Sequence, residues 1–135
     1  MFITMFTSAL TFAASPDAQG QAVERAVDAA RRTAAAGGDA VVLVDSVDEL
    51  PRAATRRLLA SARNIRDGGS LTAIVTAAGP LGVESTLITL DATLVAMQRW
   101  PALDLAASGT LRPELLVGDA GAAKIAAARA EAAAG

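Results

Sequence analysis

The chain contains no cysteine and no histidine among its 135 residues. This excludes disulfide bonds, thiol nucleophiles, imidazole bases and the usual zinc-ligand sets. Any chemistry must come from carboxylates, hydroxyls, arginines, the backbone or a partner. Aromatic residues are also scarce, at 3% of the chain, and the single tryptophan, Trp100, is more typical of core packing than of stacking on a base.

The chain also lacks a large excess of either charge, because 12 basic and 14 acidic residues leave a net charge of only −2. This balance gives no global field that attracts nucleic acid, so such binding would depend on a local patch. A chain of 135 residues that is 53% apolar is typical of one globular domain. The lack of cysteine favours a reducing, cytoplasmic compartment, and no apolar run reaches the length of a membrane span.

The opening stretch MFITMFTSALTFAAS is apolar and ends in small residues, as a secretory signal does. It lacks the basic amino-terminal region of a signal peptide, since the first arginine is Arg25. Apolar residues lie among Thr and Ser from Phe6 to Phe12, before the break at Ser15-Pro16-Asp17. This run therefore predicts a buried strand.

Helix and strand patterns alternate after this stretch. The apolar spacing predicts helices over Ala18–Ala36 and Leu50–Arg66, closed by Gly37-Gly38 and Gly68-Gly69 respectively. Short apolar runs predict strands over Ala40–Val44, Ser70–Ala78, Ser85–Asp91 and Pro101–Leu105. Alternating strands and helices with short links predict an α/β fold with a parallel sheet.

The run AVVLV, Ala40–Val44, consists of five consecutive apolar residues. Such a run is typical of a parallel strand that is covered on both faces. We expect it to lie parallel beside Leu71–Thr76, with the Leu50–Arg66 helix crossing between the two strands.

Polar residues follow both of these strands, Asp45-Ser46 after the first and Thr76 at the end of the second. Ligands of α/β sheets collect at the carboxyl ends of the strands. An apolar strand that ends in aspartate has the form of a Walker B element, which holds a carboxylate near Mg²⁺ and phosphates. The alternative interpretation is that Asp45-Ser46 only opens the loop before the next helix.

Four arginines form a second candidate site. On a helix that continues to Arg66, the residues Arg52, Arg56, Arg63 and Arg66 would lie in one narrow sector, opposite the apolar face. A row of guanidinium groups can bind phosphates of RNA. A solvated helix face with cations near its carboxyl end would give the same pattern.

Longer stretches are more specific than these single residues. The order and spacing of TFAASPDAQGQAVERAVDAARR, DAVVLVDSVDELPRAA, ASARNIRDGGSLTAIVTA and RWPALDLAASGTLRPELLV resemble the ATPase domain of transcription termination factor Rho over almost the whole chain. The resemblance implies an incomplete RecA-like sheet of the P-loop NTPase type with flanking helices. It assigns residues 1–118 to a partial ATPase domain and residues 119–135 to an alanine-rich helix.

The same resemblance implies a function. Proteins of this family form hexameric rings, bind ATP and Mg²⁺ between subunits, and act as RNA-dependent helicases on transcripts made by RNA polymerase. The resemblance therefore implies a homo-oligomer, RNA and RNA polymerase as partners, and no membrane.

Matched residue by residue, Asp45 lies at the family's Walker B aspartate and would contact the metal, with Ser46 beside it. The chain has no G-x-x-x-x-G-K-[ST] motif, and its only lysine is Lys124. The family's catalytic glutamate belongs to a segment that would precede Met1. The two RNA-contacting loops of the family, one after each of the strands that end near Asp45 and Thr76, are short here.

The family's arginine finger belongs to an Asn-Arg pair before Ser-Gly-Thr, where this chain has Ala106-Ala107 before Ser108-Gly109-Thr110. Arg99 and Arg112 lie nearby in a different register. These residues, Arg99, Ser108, Gly109, Thr110 and Arg112, are the predicted subunit-interface positions.

Two functions stay open at this point. The chain is either a truncated or degenerate form of the RNA-dependent ATPase, or a non-catalytic Rho-like assembly or binding module. The missing finger and shortened loops favour the second. We expect the isolated chain not to hydrolyse ATP and to bind it weakly at most.

Overall fold

The computed structural model describes residues 3–6 and 15–134. The chain divides into two compact units, Met1–Leu81 and Gly82–Gly135. The described elements, in chain order, are β1 (Ile3–Phe6), α1 (Pro16–Ala35), β2 (Asp39–Val44), α2 (Arg52–Ser61), β3 (Arg63–Asn64), β4 (Ser70–Val75), β5 (Thr86–Leu90), α3 (Ala92–Ala96), β6 (Leu103–Thr110) and α4 (Glu114–Ala134). The fold is therefore mixed α/β. Of the strand expected over Phe6–Phe12, only Phe6 is described, and the rest lies outside the described residues.

A four-stranded sheet in the order β1-β2-β4-β3 organises the first unit. β2 pairs in parallel with β1 on one side and with β4 on the other, and Val44 lies opposite Val75. The helix α2 lies between β2 and β4 in the chain, so the predicted parallel pair with an intervening helix is confirmed. The short β3 pairs antiparallel with β4.

The first helix begins and ends as its sequence predicts. Ser15 is the N-cap and accepts a hydrogen bond from the Ala18 N–H, while Pro16 occupies the first turn. After Ala36, Gly37 adopts a φ of +90°, a conformation that ends helices at little cost only for glycine. The apolar face of α1 is buried through Val23, Val27, Ala30 and Ala34.

One face of the sheet carries the core. Along β2 the residues Ala40, Val42 and Val44 are buried, in one cluster with residues of α1 and with Leu58 of α2. On the other face Leu43 is 43% exposed, and its neighbour across β4, Ile74, is 52% exposed. Among the described residues the expectation that the AVVLV run is covered on both faces is therefore wrong, since α1 and α2 both pack against the Val42 face.

The second helix is shorter than its sequence predicts. It ends at Ser61, because Ala62 is extended and Arg63 and Asn64 form β3. The Gly68-Gly69 pair therefore does not end the helix. It lies in the turn between β3 and β4, where the Gly69 N–H donates to Ala34 O at 2.8 Å and the Ile65 N–H donates to Gly69 O at 2.9 Å.

The second unit contains the two-stranded antiparallel sheet β5-β6, with a register shift between Leu87 and Thr89. The two predicted strands are confirmed, but they pair with each other rather than extending the parallel sheet, and β6 runs to Thr110. Asp91 caps α3 by accepting from the N–H groups of Thr93 and Leu94. Helix α4 is interrupted at Gly118, whose φ is +71°. None of the helices in the described part of the chain is long and apolar enough to cross a membrane.

Candidate functional site at the strand ends

Asp45 directly follows β2, and Thr76 directly follows β4. The Thr76 Oγ1 hydroxyl donates a hydrogen bond of 2.8 Å to Asp45 Oδ1. The two strands are adjacent and parallel, so their carboxyl ends bring these residues together although they lie 31 positions apart. Both are exposed, and the structure therefore presents the Asp45 carboxylate to solvent at the sheet edge.

The backbone around this pair is tied across the two strand ends. The Ser46 N–H donates to Thr76 Oγ1 at 2.7 Å, and the Val47 N–H donates to Thr76 O at 3.0 Å. Ser46 has a φ of +59°, a left-handed conformation that serine rarely adopts. This conformation directs the Ser46 N–H toward the Thr76 hydroxyl. The hydroxyl is therefore both donor and acceptor at the centre of the site.

A second carboxylate, which the sequence analysis did not single out, belongs to the same loops. Both oxygens of Asp48 accept from the Ala78 N–H, at 3.2 and 3.0 Å, and the Ser46 hydroxyl donates to Asp48 Oδ2 at 3.4 Å. Asp48 thus links the loop after β2 to the loop after β4. The signal that could have identified it is its spacing in Asp45-Ser46-Val47-Asp48, with two carboxylates three residues apart.

Carboxylate and hydroxyl oxygens are the ligand type that Mg²⁺ prefers. However, the part of the chain that the structure describes holds no group of three or more side chains arranged to bind a metal ion. Both oxygens of Asp48 already accept from a backbone N–H, so Asp45 is the main carboxylate that could bind a metal ion here. Mg²⁺ gives up water reluctantly, so one or two carboxylates hold it weakly. The described residues alone therefore do not form a complete Mg²⁺ and ATP site.

The four arginines predicted to contact phosphates do not lie on one helix. Arg52 and Arg56 are exposed on α2, whereas Arg63 lies in β3 and Arg66 in the turn that follows it. Their expected arrangement in one helical sector is wrong, because the helix ends at Ser61. Their contact with RNA stays a prediction.

A different arginine, Arg57 of α2, forms an ion pair with α1. Arg57 Nη1 and Glu24 Oε1 lie 2.6 Å apart at the edge of a cavity of about 390 Å³ between the two helices. Val27 and Leu58 contribute to its lining, and Asp28, Arg31 and Arg63 add charges of both signs. Both partners of the ion pair are substantially exposed, so its contribution to stability is small.

The predicted interface positions belong to the second unit. Ser108, Gly109 and Thr110 form the end of β6. The Ser108 hydroxyl accepts from the Thr89 N–H at 2.9 Å and donates to Asp104 O at 2.5 Å. The first of these bonds joins β5 to β6 at the register shift, and the second lies within β6.

The arginines beside this segment have different surroundings. The Arg112 guanidinium pairs with the Glu114 carboxylate two residues away. Arg99 is exposed after α3. Ala106 and Ala107 donate their N–H groups to Asp104 Oδ1, at 3.0 and 2.9 Å, where the resemblance expects an arginine finger.

These observations define an α/β protein that places a carboxylate and a hydroxyl at the carboxyl ends of neighbouring parallel strands. No protein-family model matches the chain. It is 33% identical over 143 aligned positions to transcription termination factor Rho of Rhodopirellula baltica, a match that covers 79% of this chain and 28% of that protein. With the Rho proteins of Streptosporangium roseum and Mycobacterium tuberculosis the identities are 35% and 31%, covering 70% and 81% of this chain and 34% and 24% of those proteins.

The chain therefore belongs to the family of transcription termination factor Rho. It spans about a quarter to a third of the length of these three relatives.

Proposed function

We propose that the chain acts in transcription termination as a partial Rho-type module, with a RecA-like arrangement of its parallel strands. The similarity to Rho proteins of several bacteria over most of the chain supports this function. The partners that the proposal implies are RNA, RNA polymerase and other Rho-type subunits in a ring. Residues 1–118 would be the partial ATPase domain and residues 119–135 an appended helix.

The observation that carries the proposal is the position of Asp45. It follows a parallel strand directly, and its carboxylate is oriented by the Thr76 hydroxyl at the end of the next strand. We assign this aspartate to the role of a Walker B residue, which acts beside Mg²⁺-bound phosphates. When bound, ATP would supply the phosphoryl group and Mg²⁺ would neutralise its charge.

We propose further that the isolated chain is non-catalytic. Phosphoryl transfer depends on positioning and charge neutralisation, and the chain has no G-x-x-x-x-G-K-[ST] motif to hold the β- and γ-phosphates. An arginine finger is worth about 10³ to 10⁵ in rate, and Ala106-Ala107 occupies the matched position here. The chain would then serve as an assembly or binding module.

The second candidate is the RNA-dependent ATPase itself. The exposed Asp45 carboxylate favours this function, because it is oriented by Thr76 and accessible to a nucleotide-bound metal ion. Arg52 and Arg56 on the exposed side of α2, together with Arg63 and Arg66 beyond it, would supply phosphate contacts for RNA.

The two candidates differ in a direct assay. Purified chain is mixed with Mg²⁺-ATP, with and without poly-pyrimidine RNA, and phosphate release is measured alongside equilibrium nucleotide binding. The non-catalytic function predicts no turnover above background. RNA-stimulated turnover that Asp45→Asn abolishes and Asp67→Asn preserves would establish the ATPase instead. Asp67 is a suitable control because it is exposed and its left-handed backbone suits asparagine.

A role in termination is tested separately. The chain is added to a transcription reaction that depends on full-length Rho, and read-through past a Rho-dependent terminator is measured. We expect the chain to change read-through in proportion to its concentration. Unchanged read-through, with no co-sedimentation of the chain with Rho, would refute the proposed role in termination.

A further inference from the structure

We propose that the cavity between α1 and α2 binds a small organic carboxylate, whose charged group contacts the guanidinium groups of Arg31 and Arg63. The cavity has a volume of about 390 Å³ and is lined only by residues of the first unit. This volume lies at the lower end of the range found for small-molecule sites in proteins. Asp45 and Thr76 do not line it, so it is a separate site from the one at the strand ends.

The floor of the cavity is apolar. Val23 and Val27 of α1 and Leu58 of α2 line it, and each is at most 6% exposed. All three belong to the core cluster that packs the helices on the sheet, so the floor is formed before any ligand arrives. An apolar ligand body placed on this floor loses its contact with water, which favours binding.

The rim of the cavity carries an excess of positive charge. Three arginines and two acidic residues line it, and one of each, Arg57 and Glu24, neutralise each other in an ion pair of 2.6 Å. Arg31, Arg63 and Asp28 remain, which leaves a net charge of +1. All three side chains belong to exposed residues, so a ligand can reach them from solvent.

The remaining charges favour a carboxylate as the ligand group. The guanidinium groups of Arg31 and Arg63 have no hydrogen-bond or ion-pair partner among the described residues, and guanidinium forks bind carboxylates and phosphates. One negative charge balances the rim, whereas a phosphate dianion would exceed it and be repelled by Asp28. The Ser61 hydroxyl also lines the cavity but already donates to Leu58 O at 2.6 Å, so the arginines supply the donors.

The first test compares ligands of one shape. Isocaproate has a branched apolar body and a carboxylate, isohexanol has the same body without charge, and inorganic phosphate has charge without the body. Each is titrated into the labelled full chain, and the backbone amide shifts are followed by NMR. We expect isocaproate to shift the amides around Val27, Arg31 and Ser61 saturably, and to bind about fivefold or more tightly than isohexanol.

The second test removes single charges. Arg31→Gln and Arg63→Gln should each weaken isocaproate binding about three- to tenfold, because each removes a charged donor. Arg25→Gln is the matched control, since Arg25 is exposed on the same helix as Arg31 and does not line the cavity, and it should leave binding unchanged.

A third variant fills the cavity. Ala60 lines it from an exposed position of α2, so Ala60→Leu should abolish binding while circular dichroism shows that the fold is retained. Shifts that do not saturate, or that persist in Ala60→Leu, would refute the site. Equal affinity for isohexanol would refute selection by the arginines, and equal affinity for phosphate would overturn the choice of a carboxylate. Because no ATP, RNA or Rho is present, these outcomes are independent of the proposed function.

Discussion

The Thr76 hydroxyl lies 2.8 Å from the Asp45 carboxylate and donates a hydrogen bond to it across the ends of β2 and β4. The same hydroxyl accepts a bond from the Ser46 N–H. One small side chain therefore fixes both the direction of the carboxylate and the turn that follows it. Because all three residues are exposed, the arrangement orients a charged group without burying it.

Thr76→Val tests this arrangement. Valine keeps the shape and strand preference of threonine but removes both hydrogen bonds, so we expect a loss of about 0.5 to 1.5 kcal/mol in the free energy of unfolding. Urea denaturation measures it. Thr72→Val, at an exposed position of the preceding strand β4, is the matched control and should change stability by less than about 0.5 kcal/mol. Equal effects of the two variants would contradict a specific role of the Thr76 hydroxyl.

Leu58 is the test of the core between α1, α2 and the sheet. Its side chain is 0% exposed. Leu58→Ala leaves a cavity and should cost about 2 to 5 kcal/mol in urea denaturation. Leu59→Ala, one position along the same helix and only half-buried, should cost about 1 kcal/mol or less. A small effect of Leu58→Ala would show that α2 does not pack on the sheet as described.

Gly69 tests the close approach of the β3–β4 turn to the end of α1. A β-carbon there would lie 1.9 Å from Gly38 O, a backbone atom that cannot move without disturbing β2. Gly69→Ala should therefore destabilise the protein by about 3 kcal/mol or more. Gly79→Ala meets no atom within 4 Å and should be neutral or slightly stabilising. Thermal unfolding of the two variants checks the difference, and a tolerated Gly69→Ala would rule out this contact.

Val41 and Val42 test which face of β2 is covered. Val42 is 1% exposed, whereas Val41 points to the opposite, half-buried face. Val42→Thr buries an additional hydroxyl and should cost about 1 to 3 kcal/mol, while Val41→Thr should cost less than about 1 kcal/mol. Denaturation at several protein concentrations measures both. Equal costs that rise with concentration would mean that another copy covers the second face in solution.

The sequence predicted the centre of the first unit well. Ala40–Val44, its parallel neighbour and the intervening helix were recognisable because apolar runs and helical spacing are local patterns. The placement of Asp45 and Thr76 together followed from this pairing, since parallel strands end at the same edge. Asp48 was missed because its partner is the backbone N–H of Ala78. Every residue except proline has such an N–H group, so the sequence does not show which one a carboxylate will bind.

Other errors have equally physical causes. The spacing Leu58, Ala62, Ile65 continues a helical face, but Ala62 turns extended and Arg63 pairs with Leu71, so tertiary pairing overrides the helical pattern. The AVVLV run does not reveal whether one face or two are covered, because its composition is the same on both. The register shift between β5 and β6 is accompanied by the Thr89–Ser108 bond across the strands and the Ala107–Asp104 bond within β6, which alternation of apolar and polar residues does not reveal.

The strand order of the first unit also bears on the order in which its strands pair during folding. The β3–β4 turn is closed by the Gly68 N–H bonding to Ile65 O and so joins neighbours in the chain. The pairing of β2 with β4 instead joins residues about thirty positions apart, for example Ala40 with Leu71, and must wait until the intervening segment has closed into a loop. We therefore expect the hairpin to form before β2 is added. Once folded, β2 and β4 each have a strand on both sides, so we expect their amides to exchange with deuterium more slowly than those of the edge strands β1 and β3.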